Sequence, residues 1–297
     1  MANGSLKIAI IGGSGLEARL FNDLALIDTE RHELDTPFGR PSGPIITGTE
    51  RGVPIALLSR HGDGHLLNPA AIPYRANVFA LKMLGCTHIV AFGATGSLRE
   101  EIGLGDLVIC DQLIDRTDGR TRTFYEQCAV HVEFAEPFCS VTRGWLYRAA
   151  KRLDGVGVHD KGCYMCMEGP AFSTRAESHM HRMLGADVIG MTAQPEARLA
   201  REAEIAYAMV ALPTDYDCWR PRPEGDPDSV LAEIIGNLDR ATDASIRLLE
   251  AALGDVEALK STPSPAHDAL ARSIWSDKAK IDPREVERLR PLWGRYF

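Results

Sequence analysis

The sequence predicts a layered α/β domain, on three observations. Short apolar or β-branched runs alternate with helical patterns along the chain; the strand-like runs are continuously apolar; and small-residue loops follow several of them. A strand that is apolar on every residue must be covered on both faces, which puts helices on either side of the sheet. With 297 residues, 45% of them hydrophobic and 25% charged, the chain can bury one large core and carry a tail.

Strands are predicted at Lys7–Ile11, Ile55–Leu58, His88–Phe92, Leu107–Cys110, Asp187–Ile189 and Tyr207–Leu212. Helices are predicted at Arg75–Leu84, Thr174–Leu184, Pro195–Ala203 and Val230–Ala252, the second opened by a capping box between Thr174 and Glu177. Long loops at Glu30–Gly43, Asp115–Phe138 and Arg220–Asp228 are the places where binding groups concentrate on such a scaffold. The main domain is expected over residues 1–255. Residues 256–297 form a linker at Ser261–Pro265 and a helical tail, with Trp275, Trp293 and Phe297 read as packing residues.

Composition excludes several classes. A net charge of −8 lacks the clustered cations of a nucleic-acid surface, although a locally positive pocket for a small anion is compatible with it. Apolar runs such as Ile8–Ile11 are too short for a bilayer, and the amino terminus carries no basic-then-apolar leader, so a cytoplasmic protein without a membrane partner is expected. Seven cysteines at irregular spacing suit reduced thiols, and Cys163 and Cys166 have no second pair with which to bind zinc.

Five segments could carry chemistry. Gly12-Gly13-Ser14-Gly15 follows the first strand and reads either as a tight turn or as an anion loop; it lacks the spacing of a dinucleotide fingerprint and the lysine of a P-loop. Arg60 and His61, followed by His65, stand at another strand end. Arg60 there could fork onto a phosphate, or the pair could be a salt-bridged arginine beside a loop histidine. Strand carboxyl ends are where open α/β sheets collect ligands. Gly93-Ala94-Thr95-Gly96-Ser97 is either a third turn or a place where a substrate approaches the main chain, with Thr95 and Ser97 as donors.

Glu168 at a strand exit could accept from sugar hydroxyls, and Phe172 could stack on a base or fill a core; Met191 and Thr192 allow the same choice between sugar contact and filler. In Thr214-Asp215-Tyr216-Asp217, an extended chain would aim both carboxylates the same way. Neighbouring carboxylates resist double ionisation, so one could hold a proton for a base nitrogen. Local sequence offers no further ligands for a metal, and none is expected. His131, by itself, is a loop histidine.

Taken together, Ile11-Gly-Gly-Ser-Gly-Leu, Asp35-Thr-Pro-Phe-Gly, Arg60-His61-Gly62, Gly96-Ser-Leu-Arg-Glu-Glu-Ile, Asp111-Gln-Leu-Ile-Asp-Arg-Thr, Glu168-Gly-Pro, Met191-Thr192 and Thr214-Asp-Tyr-Asp-Cys-Trp resemble the trimeric purine nucleoside phosphorylase family, in its methylthioadenosine branch. The resemblance runs from about Ile8 to Trp219. It implies the nucleoside phosphorylase fold, a single domain with a mixed central sheet flanked by helices. It also implies a homotrimer, or a dimer of trimers, with sites at subunit interfaces. The implied reaction is phosphorolysis of 5'-methylthioadenosine to adenine and 5-methylthioribose 1-phosphate, with inorganic phosphate as co-substrate and no cofactor.

By the same resemblance, Ser14, Arg60, His61, Ala94 and Thr192 would hold phosphate. Met191 and Glu168 would hold ribose, and Phe172, Asp215 and Asp217 the purine, with Thr95 and Gly96 beside it. His131 would reach a neighbouring subunit's site. Asp217, Asp215 and His61 would be the catalytic set. Three positions depart from the family: Gly93 replaces a Ser or Thr, Thr95 a Cys or Val, and Ala171 an Arg. These departures keep open another nucleoside substrate, a phosphate-independent nucleosidase and a silent purine-binding protein.

Overall fold

Ten consecutive residues, His88 to Ser97, form the strand about which the sheet is arranged. The computed structural model describes residues 5–13, 19, 23–221 and 227–297. In chain order the strands are β1 (Ile8–Gly12), β2 (Ile27–His32), β3 (Ile45–Glu50), β4 (Val53–Ser59), β5 (His88–Ser97), β6 (Leu107–Ile109), β7 (Gln112–Arg116), β8 (Val158–His159), β9 (Cys163–Met167), β10 (Val188–Gly190) and β11 (Ala206–Asp215). The helices are α1 (Tyr74–Met83), α2 (Ser140–Ala150), α3 (Arg175–Met183), α4 (Ala193–Glu202) and α5 (Pro227–Leu253). The short α6 (Glu257–Ser261), α7 (Pro283–Arg288) and α8 (Arg290–Trp293) follow in the tail.

The sheet is mixed and it branches at β5. β11 runs parallel to β5 from Ala206↔His88 to Asp215↔Gly96, occupying one edge. The other edge is shared: β1 pairs parallel with His88–Ala91, and β10 pairs antiparallel with Gly96 and Ser97. From β1 the sheet continues through β4, β3 and β2, and from β10 through β9 and β7. A strand with three partners has to be twisted enough for two of them to diverge, which opens space beside its carboxyl end.

Alternate residues of the central strands enter two separate cores. Ile8, Ile10, Val90, Phe92, Ala208, Val210 and Leu212 face one core, to which α2 and α5 contribute. Ala9, Ile11, Ile89, Ala91, Tyr207, Met209 and Ala211 face the other, with α1 and α4. All of these residues are buried, so the sequence shows no polar alternation. The capping box forms as expected: the Glu177 amide donates to Thr174 Oγ1 (3.2 Å) and the Thr174 amide to Glu177 Oε2 (2.7 Å).

Some elements differ from expectation. The predicted loop from Glu30 begins inside β2, whose sequence Ile-Asp-Thr-Glu-Arg-His is exposed along nearly its whole length. β2 is a polar edge strand held by its backbone pairing to β3, so no apolar period marks it. The long loop after β7 carries Phe124 and Tyr125 into the core. α5 starts at Pro227, inside the predicted Arg220–Asp228 loop. In the tail, Trp293 is fully buried with its ring 4.8 Å from that of Tyr125, whereas Trp275 is 71% exposed and Phe297 half-exposed.

One buried ion pair ties β4 to α4. Arg60, the residue after β4, donates from Nε to Glu196 Oε2 (2.8 Å) and from Nη2 to Glu196 Oε1 (2.9 Å), with both side chains fully buried. Arg60 Nη1 donates to the Phe92 carbonyl (2.8 Å), and the Tyr207 hydroxyl donates to Glu196 Oε1 (2.8 Å). Removing one member leaves an uncompensated charge in the interior. Glu196→Ala is therefore expected to lower the unfolding free energy by about 3–5 kcal/mol in urea denaturation; a change within error of zero would refute this role for the pair.

Candidate active site

The carboxyl ends of β1, β4, β5 and β11 and the segments after β9 and β10 surround a cavity of about 360 Å³. Arg60, His61, Ala94, Thr95, Gly96, Phe172, Met191, Thr192, Asp215 and Asp217 all line it, so most of the residues singled out from sequence meet in one place. Ser14 lies outside the described residues, although Gly13 lines the cavity.

The small-residue run is not a turn. Gly93 to Gly96 belong to β5 itself and pair with β11. A Cβ at Gly96 would stand 3.1 Å from both Asp217 Cβ and Ile189 Cγ2, and one at Gly93 would stand 2.9 Å from Met209 Cε. Close packing explains these glycines, and the Met209 thioether end takes up the room that a side chain at position 93 would need.

At Arg60 the geometry departs from the expected two-point fork on phosphate. Arg60 engages Nε and Nη2 on Glu196 and Nη1 on a carbonyl, so its paired edge already holds a carboxylate. Burial opposes its charge, and Glu196 more than restores it, leaving Arg60 above its ordinary pKa. The guanidinium is thus a fixed, permanently charged group in the cavity wall, with no exposed surface of its own.

His61 is not a cation near neutrality. Burial pushes it down to about 4, and the charges of Arg60 and His65 act in the same direction. Its Nδ1 lies 2.7 Å from the Leu67 carbonyl and so carries the proton, leaving Nε2 as an acceptor. The His65 ring stacks on it at 4.0 Å and also lines the cavity. Thr192 is nearly buried, and its Oγ1 would be 3.6 Å from a Cβ at position 93.

Asp215 and Asp217, which also line the cavity, come together by a different route from the one the sequence suggests. β11 ends at Asp215, and Asp217 adopts a left-handed conformation at φ 49°. The Asp217 amide donates to Asp215 Oδ1 (2.7 Å), so an Asx-type turn, not strand alternation, brings the carboxylates together. The Ser178 hydroxyl from α3 donates to Asp217 Oδ2, and the Thr214 hydroxyl to Asp215 Oδ2 (3.2 Å). Phe172 is 84% exposed at the cavity and is not core filler. Thr95 is buried, and its hydroxyl has no hydrogen-bond partner among the described residues.

Two expected residues stand apart. Glu168 does not line the cavity: its Oε1 accepts from Arg120 Nε (3.0 Å) and its Oε2 from the Asp118 amide (2.7 Å). His131 is exposed, its ring packed 4.8 Å from that of Trp275 and its amide donating to the Ser273 carbonyl (2.9 Å). Ala171 is exposed beside Phe172.

Other contributors escaped the sequence reading. The sequence assigns Glu196 and Tyr207 no role, since a buried partner is defined only by folding. Ile234 and Leu238 of α5 add apolar lining, and their spacing of four along a helix is the signal that was available. Among the described residues no group of three or more His, Cys, Asp or Glu stands together as metal ligands.

Known proteins share both this sequence and this architecture. The S-methyl-5'-thioadenosine phosphorylase of a Synechocystis strain is 46% identical over 297 residues, covering 98% of this chain and 87% of that protein. A crystal structure of methylthioadenosine phosphorylase from an antarctic soil metagenomic library superposes with a TM-score of 0.87 at 43% identity, covering 97% of this chain and 99% of that one. The methylthioadenosine phosphorylase of Schistosoma mansoni, solved in complex with adenine, superposes with a TM-score of 0.80 at 34% identity, over 91% of this chain and 99% of that one. The profile of the Phosphorylase superfamily matches residues 7–254, and the chain belongs to that superfamily.

Proposed function

We propose that this chain cleaves 5'-methylthioadenosine with inorganic phosphate, yielding adenine and 5-methylthioribose 1-phosphate. The observation that carries the reading is a single cavity holding both the Asp215–Asp217 pair and the Arg60, His61 and Thr192 group. A carboxylate pair suits a 6-aminopurine, because it accepts from the exocyclic amine, while fixed N–H groups and a hydroxyl suit phosphate. Relatives at 41–46% identity carry the name of this activity.

In the reaction the C1'–N9 bond breaks with its electron pair going to the purine, and Asp217 passes a proton to N7 as adenine leaves. A phosphate oxygen forms the new bond to C1' from the opposite face. The acceptor Nε2 of His61 suits the P–OH group of a monoprotonated phosphate, and Arg60 supplies permanent positive charge. Catalysis then comes from alignment and from charge stabilisation in the cavity.

The same reading includes a homotrimer, or a dimer of trimers, in which His131 reaches a neighbour's site; the exposed His131–Trp275 pair is the surface that supports it. It also includes a cytoplasmic setting and a reaction without metal, cofactor, nucleic acid or membrane partner. No described helix is long and apolar enough to cross a membrane.

Adenine release from methylthioadenosine should require phosphate. Following free base with and without phosphate checks this, and equal release in its absence would overturn the phosphorolysis reading in favour of hydrolysis. Asp217→Asn removes the proton donor and should reduce turnover of 6-aminopurine nucleosides by about 10²- to 10⁴-fold, with a much smaller loss on 6-oxopurine nucleosides. An unchanged ratio of the two rates would remove Asp217 from its role.

A further inference from the structure

Arg120 sits in the long loop after β7, in a polar stretch that marks nothing by composition, yet only 3% of its side chain is exposed. Gly119 before it is left-handed at φ 76°, and the loop turns there. The guanidinium reaches three separate segments. Nε donates to Glu168 Oε1 (3.0 Å) and Nη2 to the Glu168 carbonyl (2.6 Å). Nη1 donates to the carbonyls of Met191 and Gln194 (2.7 Å each) and stands 3.2 Å from the Tyr74 hydroxyl. The Asp118 amide fastens Glu168 Oε2 to the same loop.

Glu168 leads into the strip that ends in Phe172, which lines the cavity and which the reading above gives to the purine. Met191 leads directly into Thr192, which lines the cavity and which the same reading gives to phosphate. One cation thus joins the two walls between which the glycosidic bond would lie, without lining the cavity itself. We propose that Arg120 is a positioning residue for the phosphorolysis reading above, on which this inference rests: it fixes the separation of the purine-side and phosphate-side walls so that nucleophile, C1' and leaving base stand in line.

Each wall can hold its own ligand without the bridge, but alignment of the two ligands needs it. A misplacement of about 1 Å costs on the order of 100-fold in rate. A planar fork with donors in several directions makes the bridge; a lysine has the charge but not the geometry.

The test compares Arg120→Ala and Arg120→Lys with the unaltered chain. It measures steady-state phosphorolysis of methylthioadenosine, calorimetric binding of adenine alone and of inorganic phosphate alone, and thermal unfolding. The expected result for both variants is a fall in kcat on the order of 100-fold, with KM and the separate affinities for adenine and phosphate little changed. Low concentrations of guanidinium ion should restore part of the kcat of Arg120→Ala and none of that of Arg120→Lys, where the lysine occupies the gap. Three results would overturn the proposal: an unchanged kcat, a loss expressed through weaker adenine or phosphate binding, or unfolding of both variants at the assay temperature. If the unaltered chain binds neither adenine nor phosphate, the phosphorolysis reading fails first and takes this inference with it.

Discussion

Arg60 and Glu196 form a fully buried ion pair, and the site depends on the constraint it imposes. A charge can stay in that interior only with a partner and with its remaining hydrogen bonds satisfied. Glu196, the Phe92 carbonyl and, through Glu196, the Tyr207 hydroxyl meet that demand, so β4, β5, α4 and β11 are held in register at one point. The arginine presented to the cavity is consequently rigid and permanently charged. The neighbouring His61 is held neutral chiefly by its burial, with the Arg60 charge adding to it, so a cation and a neutral imidazole stand at adjacent positions of the cavity wall.

Most of the fold was legible because burial on both faces writes itself as uninterrupted apolar strands. Ile8–Ile11 and Tyr207–Leu212 serve two cores at once and could hardly be read otherwise. β2 was illegible for the converse reason, being an exposed edge held by backbone hydrogen bonds that carry no side-chain signature. β5 was read too short, since glycines at 93 and 96 look like a turn until the side chains of Met209 and Asp217 are seen pressing against them.

Site residues were legible where chemistry is local. Arg60 with His61, and Asp215 with Asp217, are unusual neighbours in the chain and meet again in the cavity. Partners were not legible: Glu196 answers Arg60 from 136 residues away, and Ser178 answers Asp217 from 39 residues away. Glu168 shows the limit of reading position alone. It does stand at a strand exit, but its carboxylate is taken by Arg120 and by a loop amide.

The branching of β5 has a consequence for how the chain is made. Its full-length partner β11 begins at Ala206, so a ribosome must synthesise more than a hundred further residues after His88 before that edge can be covered. Until then an apolar strand with an open side is available to wrong partners, which is the kind of exposure that chaperones shield. The carboxylate at 215 arrives at the end of the same late strand, and the one at 217 two residues beyond it. A nascent chain therefore gains its substrate cavity in the same step that closes its most vulnerable edge, and truncated products should be aggregation-prone and inactive together.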